Sequence, residues 1–263
     1  MAEAARASPG SKIVARIDPV LLVRSALVLG LLATWEAVAR SGLLFRDVVP
    51  SLAAIAGALL QLVTDPVFYR NLGVTLGEIG LALGIGGFFG LAVGILLGSS
   101  RFLSRAYEPF IHYLGPTPKI IFFPVMLLWF GVGSGSKIAM GAISAFFPIA
   151  ISAAAAMRQI ERVLIRVGRS FRASPRQMLT KIYLPAMRIP IINGIRLGMG
   201  MAIIGTLLAE TKLSNQGLGY LVIQTYVTFN MPRMYALLIA LFLLSIGANG
   251  LIGRLAAPGG VKR

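Results

Sequence analysis

Six arginines recur at helical spacing near the middle of the chain: Arg158, Arg162, Arg166, Arg169, Arg172 and Arg176. On an unbroken helix these side chains would share one face, with Leu164, Val167 and Phe171 on the opposite face. Pro175 is expected to end or bend the helix, which would place Arg176 on the next piece. Because Glu161 is the only acidic residue close by in the sequence, this arginine face needs an anionic partner, either lipid headgroups or an acidic protein surface.

The sequence offers little else that could carry out covalent chemistry. It has no cysteine and a single histidine, His112, which excludes thiolate catalysis, disulfides and a metal site built from several histidines. The closest approach to a phosphate-binding loop, residues 131–137, ends on a lysine without the hydroxyl residue that should follow. Since no pair of carboxylates and no Ser/His/Asp set is recognisable either, we expect neither catalysis nor a bound metal or cofactor in this chain.

The composition is that of a membrane protein, with 57% hydrophobic and 13% charged residues over a length of 263. A soluble domain would carry roughly twice that charged fraction. Apolar runs predict six spans, near residues 20–39, 72–97, 107–130, 138–157, 189–208 and 234–252. The third run contains Pro116, Pro118 and Pro124, which allow a short interfacial helix followed by a shorter spanning piece. We therefore predict an all-α membrane protein of about six transmembrane helices.

The charge distribution predicts how these spans are oriented. A net charge of +16 would suggest nucleic acid on a soluble protein, but here it has a simpler source, because cytoplasmic loops collect lysine and arginine. With the N-terminus inside, the outer loops keep five clear basic residues: Arg46, Arg70, Lys137, Lys212 and Arg233. We predict cytoplasmic tails at residues 1–19 and 253–263, a transmembrane domain over 20–252, an outward loop over 41–71 and a cytoplasmic segment over 158–188 of an inner-membrane protein.

Nine glycines crowd residues 73–98, in and directly after the second predicted span, and four of them are spaced four residues apart: Gly86, Gly90, Gly94 and Gly98. Small residues at this spacing let neighbouring helix backbones approach closely in lipid. The pattern predicts tight helix packing. It is also compatible with a helix that slides or rotates against its neighbours, and the sequence does not separate these two interpretations.

Ionisable residues near the spans supply the candidates for a transport pathway. Lys119 follows Pro118 in the broken third span, where a cation beside freed backbone could attract an anion, although an interfacial lysine is the alternative. We take Pro118, Lys119, Pro124 and Arg196 as pathway candidates.

Two acidic residues are expected to lie toward the outer surface. We expect Glu78 to be interfacial, in the first turns of its helix, where the helix dipole favours an anion. We expect Glu210, together with Lys212, to end the fifth span on the outside, where a delivery protein could dock.

The run from Arg166 to Pro185, RVGRSFRASPRQMLTKIYLP, resembles the cytoplasmic loop of ABC importer permeases, known as the EAA loop. Its recognisable parts are the Ala173-Ser174 step, an apolar and basic stretch, and the closing Leu184-Pro185. By this alignment the family's usual glutamate is replaced by Arg166 and its usual glycine by Arg172. Contacts specific to that glutamate are therefore not carried over.

Motifs outside the loop resemble the nitrate, sulfonate and taurine branch of that family. They are PKIIFFP at 118–124, WFGVG at 129–133, and Glu210 followed by GLG at 217–219. The resemblance implies a type I permease fold with two copies, most simply a homodimer, that carries a small solute such as nitrate, a sulfonate or taurine.

The same resemblance implies two further kinds of partner. One is a cytoplasmic ABC ATPase that binds ATP and Mg and holds the loop helix in a cleft, and the other is a periplasmic or extracellular substrate-binding protein. The residues that would couple to the ATPase are Arg162, Arg166, Arg169, Phe171, Arg172, Ala173, Ser174, Leu184 and Pro185.

A gradient-driven secondary transporter or channel is the main alternative, and a membrane scaffold without transport is a third interpretation. Secondary transporters and channels usually carry intramembrane carboxylates or internal repeats, and the sequence predicts neither here. The transported solute and the choice between homodimer and heterodimer are not determined by the sequence.

Overall fold

The protein is described by a computed structural model that covers residues 19–42 and 48–256, and within them all regular structure is helical. The predicted tails were residues 1–19 and 253–263. Of these, residues 1–18 and 257–263 lie outside the described residues, whereas Pro19 begins the first helix and residues 253–256 belong to the last one. The helices are α1 (Pro19–Ser41), α2 (Leu52–Thr64), α3 (Pro66–Ser99), α4 (Arg101–Leu114), α5 (Phe123–Phe130), α6 (Ser134–Arg158), α7 (Arg162–Ser170), α8 (Pro175–Gln177), α9 (Leu184–Ala186), α10 (Arg188–Lys212), α11 (Leu218–Val227) and α12 (Met231–Ala256).

The predicted spans are present as helices. Among the described residues, five helices are long and apolar enough to cross a membrane, namely α1, α3, α6, α10 and α12. A sixth span is formed if α4 and the stretch Lys119–Phe130, which meet at an angle of 92°, count as one broken span. This confirms the all-α fold with about six spans, and it places the irregular third span where Pro116 and Pro118 interrupt the chain.

The chain forms two compact units that divide between Ala54 and Ile55. In the first unit, polar side chains near the end of α1 contact the start of α2. The Trp35 indole N–H donates to the Pro50 carbonyl (3.1 Å), and the Leu52 N–H donates to the Glu36 carboxylate (2.9 Å). Glu36 therefore satisfies one of the backbone donors that a helix start leaves open.

In the second unit, α6 packs between α3 and α10, and glycines on both neighbours make this possible. A Cβ added at Gly90 would lie 2.9 Å from the Phe146 carbonyl oxygen, and one at Gly98 would lie 2.6 Å from that of Ala154. On the α10 side, a Cβ at Gly205 would lie 2.8 Å from the Met140 carbonyl oxygen. The predicted tight packing of the glycine-rich helix is confirmed, and its sliding stays a prediction.

The helix in the predicted outward loop, α2, packs on other helices. Its Leu62 is buried in a cluster with Phe68, Leu218, Leu221 and Leu237, from α3, α11 and α12. The apolar side of this part of the loop thus contacts neighbouring helices.

Replacing Gly94 by alanine is expected to loosen the contact between α3 and α6. The new methyl group would lie 2.6 Å from the Ala153 Cβ, and such overpacking should lower the free energy of unfolding by about 1–3 kcal/mol. The measurement is the thermal unfolding midpoint of the purified protein in nanodiscs.

Gly84→Ala is the matched control on the same helix. Within the described part of the chain, a Cβ there meets nothing within 4 Å, so the midpoint should stay unchanged or rise. Equal losses in the two variants would contradict the close packing of α3 on α6.

Candidate functional site

The segment that links α6 to α10 contains three short helices, α7, α8 and α9, and the first of them ends in a specific turn. At the end of α7, the Ala173 N–H donates to the Gly168 carbonyl (3.0 Å), and the Arg172 N–H donates to the Arg169 carbonyl (2.9 Å). This pair of bonds is the Schellman motif, which requires a left-handed residue. Arg172 fills that position with a φ of +52°. The family's usual glycine at this position thus has a conformational reason, because a glycine adopts this φ without steric cost.

The Ala173-Ser174 step starts the next helix. The Gln177 N–H donates to the Ser174 hydroxyl (3.3 Å), and the Ser174 N–H donates to the Gln177 side chain (2.8 Å). Together with Pro175 in the first turn of α8, this reciprocal capping fixes where the helix begins. A wide π-type turn over Met178–Tyr183 then leads to α9, which contains Leu184 and Pro185.

The arginine series does not lie on one unbroken helix, and this corrects the prediction. Arg158 belongs to the last turn of α6 and forms a two-pronged ion pair with the Glu108 carboxylate of α4 (2.7 and 2.8 Å). The chain breaks after it, and α7 carries Arg162, Arg166 and Arg169. Glu108 was missed because it lies 50 positions away in sequence, where local spacing gives no signal.

The α7 surface is exposed on both its basic and its apolar side. The buried side of α7 is Gly168, where an added Cβ would lie 2.6 Å from the Met178 sulfur. The apolar face opposite the arginines is open, and the Phe171 side chain is 83% exposed. A short helix with exposed arginines on one face and exposed apolar side chains on the other has the composition of a protein-binding surface.

The pathway candidates are not one site. The Lys119 ammonium donates to the carbonyls of Gly115 (2.5 Å) and Thr117 (3.3 Å), and it lies 5.0 Å from the centre of the Phe147 ring. Lys119 thus satisfies carbonyl groups at the break in the third span and contacts α6 by a cation–π interaction. Its attraction for an anionic solute stays a prediction.

The other pathway candidates lie in different surroundings. Pro118 and Pro124 are exposed and flank the short 3₁₀ turn before α5. Arg196 is exposed on α10, with its guanidinium against Gly253 of α12.

Of the two outer-side docking candidates, only Lys212 is exposed. Glu210 is 1% exposed, so the expectation that it serves as a docking residue is wrong. Residues two apart on a helix point to nearly opposite sides, and Glu210 therefore faces the bundle while Lys212 faces outward. As a docking residue, Lys212 stays a prediction.

Glu210 instead belongs to a buried cluster that holds the start of α11. Three successive backbone N–H groups donate to side chains of other helices: Gly217 to Asn71 (2.7 Å), Leu218 to Thr75 (2.8 Å) and Gly219 to Glu210 (2.6 Å). The Thr75 hydroxyl in turn donates to Glu210 (2.7 Å). These side chains of α3 and α10 cap a helix to which they do not belong.

Two further charged residues join this cluster. Lys137 was expected to be an outer loop charge, but it is fully buried in the first turns of α6. Its ammonium donates to the carbonyls of Val132 and Leu213, and Leu213 is the residue directly after the last residue of α10. Lys137 therefore satisfies a carbonyl at the end of α10, as Glu210 satisfies an N–H group at the start of α11.

Glu78 is the second correction in this region, because it is buried rather than interfacial, with 3% exposure. Its carboxylate faces Ser134, Lys137 and Glu210. Among the residues that the structure describes, however, neither Glu78 carboxylate oxygen has a hydrogen-bond partner. We call the set Asn71, Thr75, Glu78, Lys137 and Glu210 the polar clamp. It contains two carboxylates within helices that could cross a membrane, which the sequence analysis had not predicted.

The sequence is similar to a known family of membrane transport proteins. The family described as "Binding-protein-dependent transport system inner membrane component" matches residues 86–257. The taurine transport system permease protein of Escherichia coli is 32% identical over 80% of this chain and 77% of its own length. The nitrate import permease protein of Synechococcus elongatus is 25% identical over 86% of each chain.

A solved structure shares the fold. A chain of the methionine ABC transporter MetNI, in an inward facing conformation, matches with a TM-score of 0.64 and 23% identity over 73% of this chain and 97% of that chain. With the match of the family over most of the sequence, the chain belongs to the inner membrane components of binding-protein-dependent transport systems, the permease subunits of ABC importers.

Proposed function

We propose that this chain pairs with a second copy of itself to form the translocation pathway of an ATP-driven importer for a small anion. A separate cytoplasmic ABC ATPase, with its ATP and Mg, supplies the energy, and a periplasmic or extracellular binding protein delivers the solute. The likeness to permeases named for taurine and for nitrate supports an anion.

The observation that supports the coupling role is that α7 lies in the chain segment connecting α6 to α10, two helices that are packed backbone to backbone. The segment Arg162–Ala186 leaves the end of α6 and returns to the start of α10. Because α6 also packs against the glycines of α3, a displacement of α7 is transmitted to three helices together. Close-packed helices move as rigid elements rather than deforming.

The chemistry of the α7 surface supports docking on a protein rather than on lipid alone. Arg162, Arg166 and Arg169 are exposed on one side of α7, and the Phe171 side chain is exposed where the helix ends. Aromatic residues and arginine are the residue types that dominate binding at protein interfaces. The proposed partner surface is an acidic cleft with an apolar pocket, and Arg172, Ala173, Ser174, Leu184 and Pro185 complete the contact region.

This arrangement also favours one orientation in the membrane. If α7 faces the cytoplasm, then the polar clamp faces outward, because Lys137 and Arg158 lie at opposite ends of α6, about 30 Å apart along its axis. Cytoplasmic termini are part of the same proposal, and the surplus of basic residues on that side supports them.

Reversing two charges on α7 should separate ATP hydrolysis from transport. The double variant Arg166→Glu plus Arg169→Glu is expected to reach the membrane in normal amounts, and solute uptake and ATPase co-purification should each fall at least about tenfold, since charge reversal at an interface costs several kcal/mol. Uptake and ATPase activity would be measured in reconstituted vesicles.

The matched control is Arg101→Glu plus Arg105→Glu, which makes the same change on exposed arginines of α4. It should leave ATPase binding unchanged. If the α7 variant binds the ATPase and transports as well as the parent, the arginine face serves the lipid surface instead.

Replacing Arg172, whose backbone is in the left-handed conformation, should reveal whether that conformation affects stability and whether the side chain contributes to ATPase binding. Arg172→Gly is expected to be more stable than Arg172→Ala by about 1 kcal/mol, since both remove the guanidinium and only glycine relieves the positive φ. The comparison is made on thermal midpoints. Equal midpoints would argue against the left-handed turn, and equal loss of ATPase binding in both variants would assign the guanidinium to the interface.

The substrate class is tested on the complete importer with a panel of solutes. Taurine, an alkanesulfonate or nitrate should stimulate ATP hydrolysis when the matching binding protein is present. An anion panel that leaves hydrolysis unchanged while a neutral heterocycle raises it would overturn the substrate proposal and leave the coupling role intact.

A further inference from the structure

The polar clamp contains an unbalanced set of charges if every group is ionised. Glu78 of α3 and Glu210 of α10 bring two carboxylates, and Lys137 of α6 brings one ammonium. All three are buried, and these three are the charged groups that act on one another there. A net charge that is buried inside a helix bundle is strongly unfavourable. One proton on either carboxylate makes the cluster neutral.

Hydrogen bonding distinguishes the two carboxylates. Glu210 accepts two hydrogen bonds, from the Thr75 hydroxyl (2.7 Å) and from the Gly219 N–H (2.6 Å). It also faces the first turn of α11, a ten-residue helix whose dipole favours an anion. Glu210 is therefore the residue suited to hold the negative charge.

Glu78 has the opposite surroundings. It faces Glu210, which in its ionised form has only acceptors to offer, as well as Ser134 and Lys137. Within the described residues, however, neither of its oxygens has a hydrogen-bond partner. A buried polar group without a partner needs an explanation. A proton on Glu78 supplies the missing hydrogen and turns a repulsive contact between two carboxylates into a hydrogen bond.

We propose that Glu78 is a protonated carboxylic acid that donates a hydrogen bond to the Glu210 carboxylate, so that the polar clamp is a neutral proton-binding site. The proton is taken from water when the bundle forms and stays there. With it, α3, α6 and α10 are tied to the turn between α10 and α11. This inference does not depend on the proposed substrate or on ATPase docking.

The turn itself is built for this contact. Gly217 has a φ of +102°, and an added Cβ there would lie 2.5 Å from a Glu210 carboxylate oxygen. A Cβ on Gly219 would lie 2.6 Å from the Glu210 Cβ. Both glycines let the backbone approach the carboxylate closely enough for its N–H groups to reach the clamp.

Infrared spectroscopy of the full chain in nanodiscs tests the proton directly. The difference spectrum between the parent and Glu78→Gln should show a protonated carboxyl C=O band from Glu78 at neutral pH. Glu161→Gln is the matched control, because the exposed Glu161 should lose an ionised carboxylate band instead. A carboxylate band in the Glu78 spectrum would overturn the proposal.

Thermal stability gives a second readout with the same variants. Glutamine can donate a hydrogen bond to Glu210 as the protonated acid does, so Glu78→Gln should keep its midpoint within about 2 °C of the parent. Glu210→Gln turns an N–H group toward the donors and should lower the midpoint by roughly 5 °C or more.

Two outcomes of the stability experiment would contradict the proposal. Equal destabilisation by Glu78→Gln and Glu210→Gln would mean that Glu78 acts as an anion. A sodium-dependent rise in the midpoint of the parent that disappears in Glu78→Gln would assign the site to a metal cation rather than a proton.

Discussion

Close contact between helix backbones is the constraint on which the second unit depends. The carbonyl oxygens of α6 lie where a side chain on α3 or α10 would otherwise be, and glycine is the residue that leaves this space free. In a membrane, association of helices rests on dispersion and weak polar contacts rather than on exclusion of water. A surface without side chains maximises such contacts, and it also makes the three helices behave as one mechanical element.

The two ends of this element carry different chemistry. At one end, the last turn of α6 forms the Arg158–Glu108 ion pair, and α7 follows with its basic and apolar faces exposed. At the other end, the polar clamp joins the same helices to α11 through backbone hydrogen bonds. Because α6 is packed backbone to backbone on α3 and α10, a change imposed at α7 is expected to reach the clamp as a rigid-body displacement.

The sequence predicted those features that depend on composition or on local period. Spans follow from apolar length, and the packed face of α3 follows from glycines spaced four apart. Features that depend on which residues meet across helices were predicted poorly. The partner of Arg158 is distant in sequence, and the series of arginines was extended across a break.

The buried charges were the largest omission, although one signal was available. Asn71, Thr75 and Glu78 are spaced four and three apart on an otherwise apolar helix, which places them on one face. A polar stripe of that kind in a spanning helix indicates buried partners. Glu210 and Lys212 are two residues apart on a helix and therefore face different sides. Both were treated in the sequence analysis as residues at the outer end of the span, so it was missed that Glu210 is buried while Lys212 is exposed.

The open face of α7 has a consequence for how such a subunit is made in the cell. A copy synthesised without its ATPase would display the Phe171 ring and neighbouring aliphatic side chains to water, and surfaces of that kind attract chaperones, proteases and other unassembled chains. Balanced production of the two subunits would then be a condition for the survival of the membrane subunit as well as for transport.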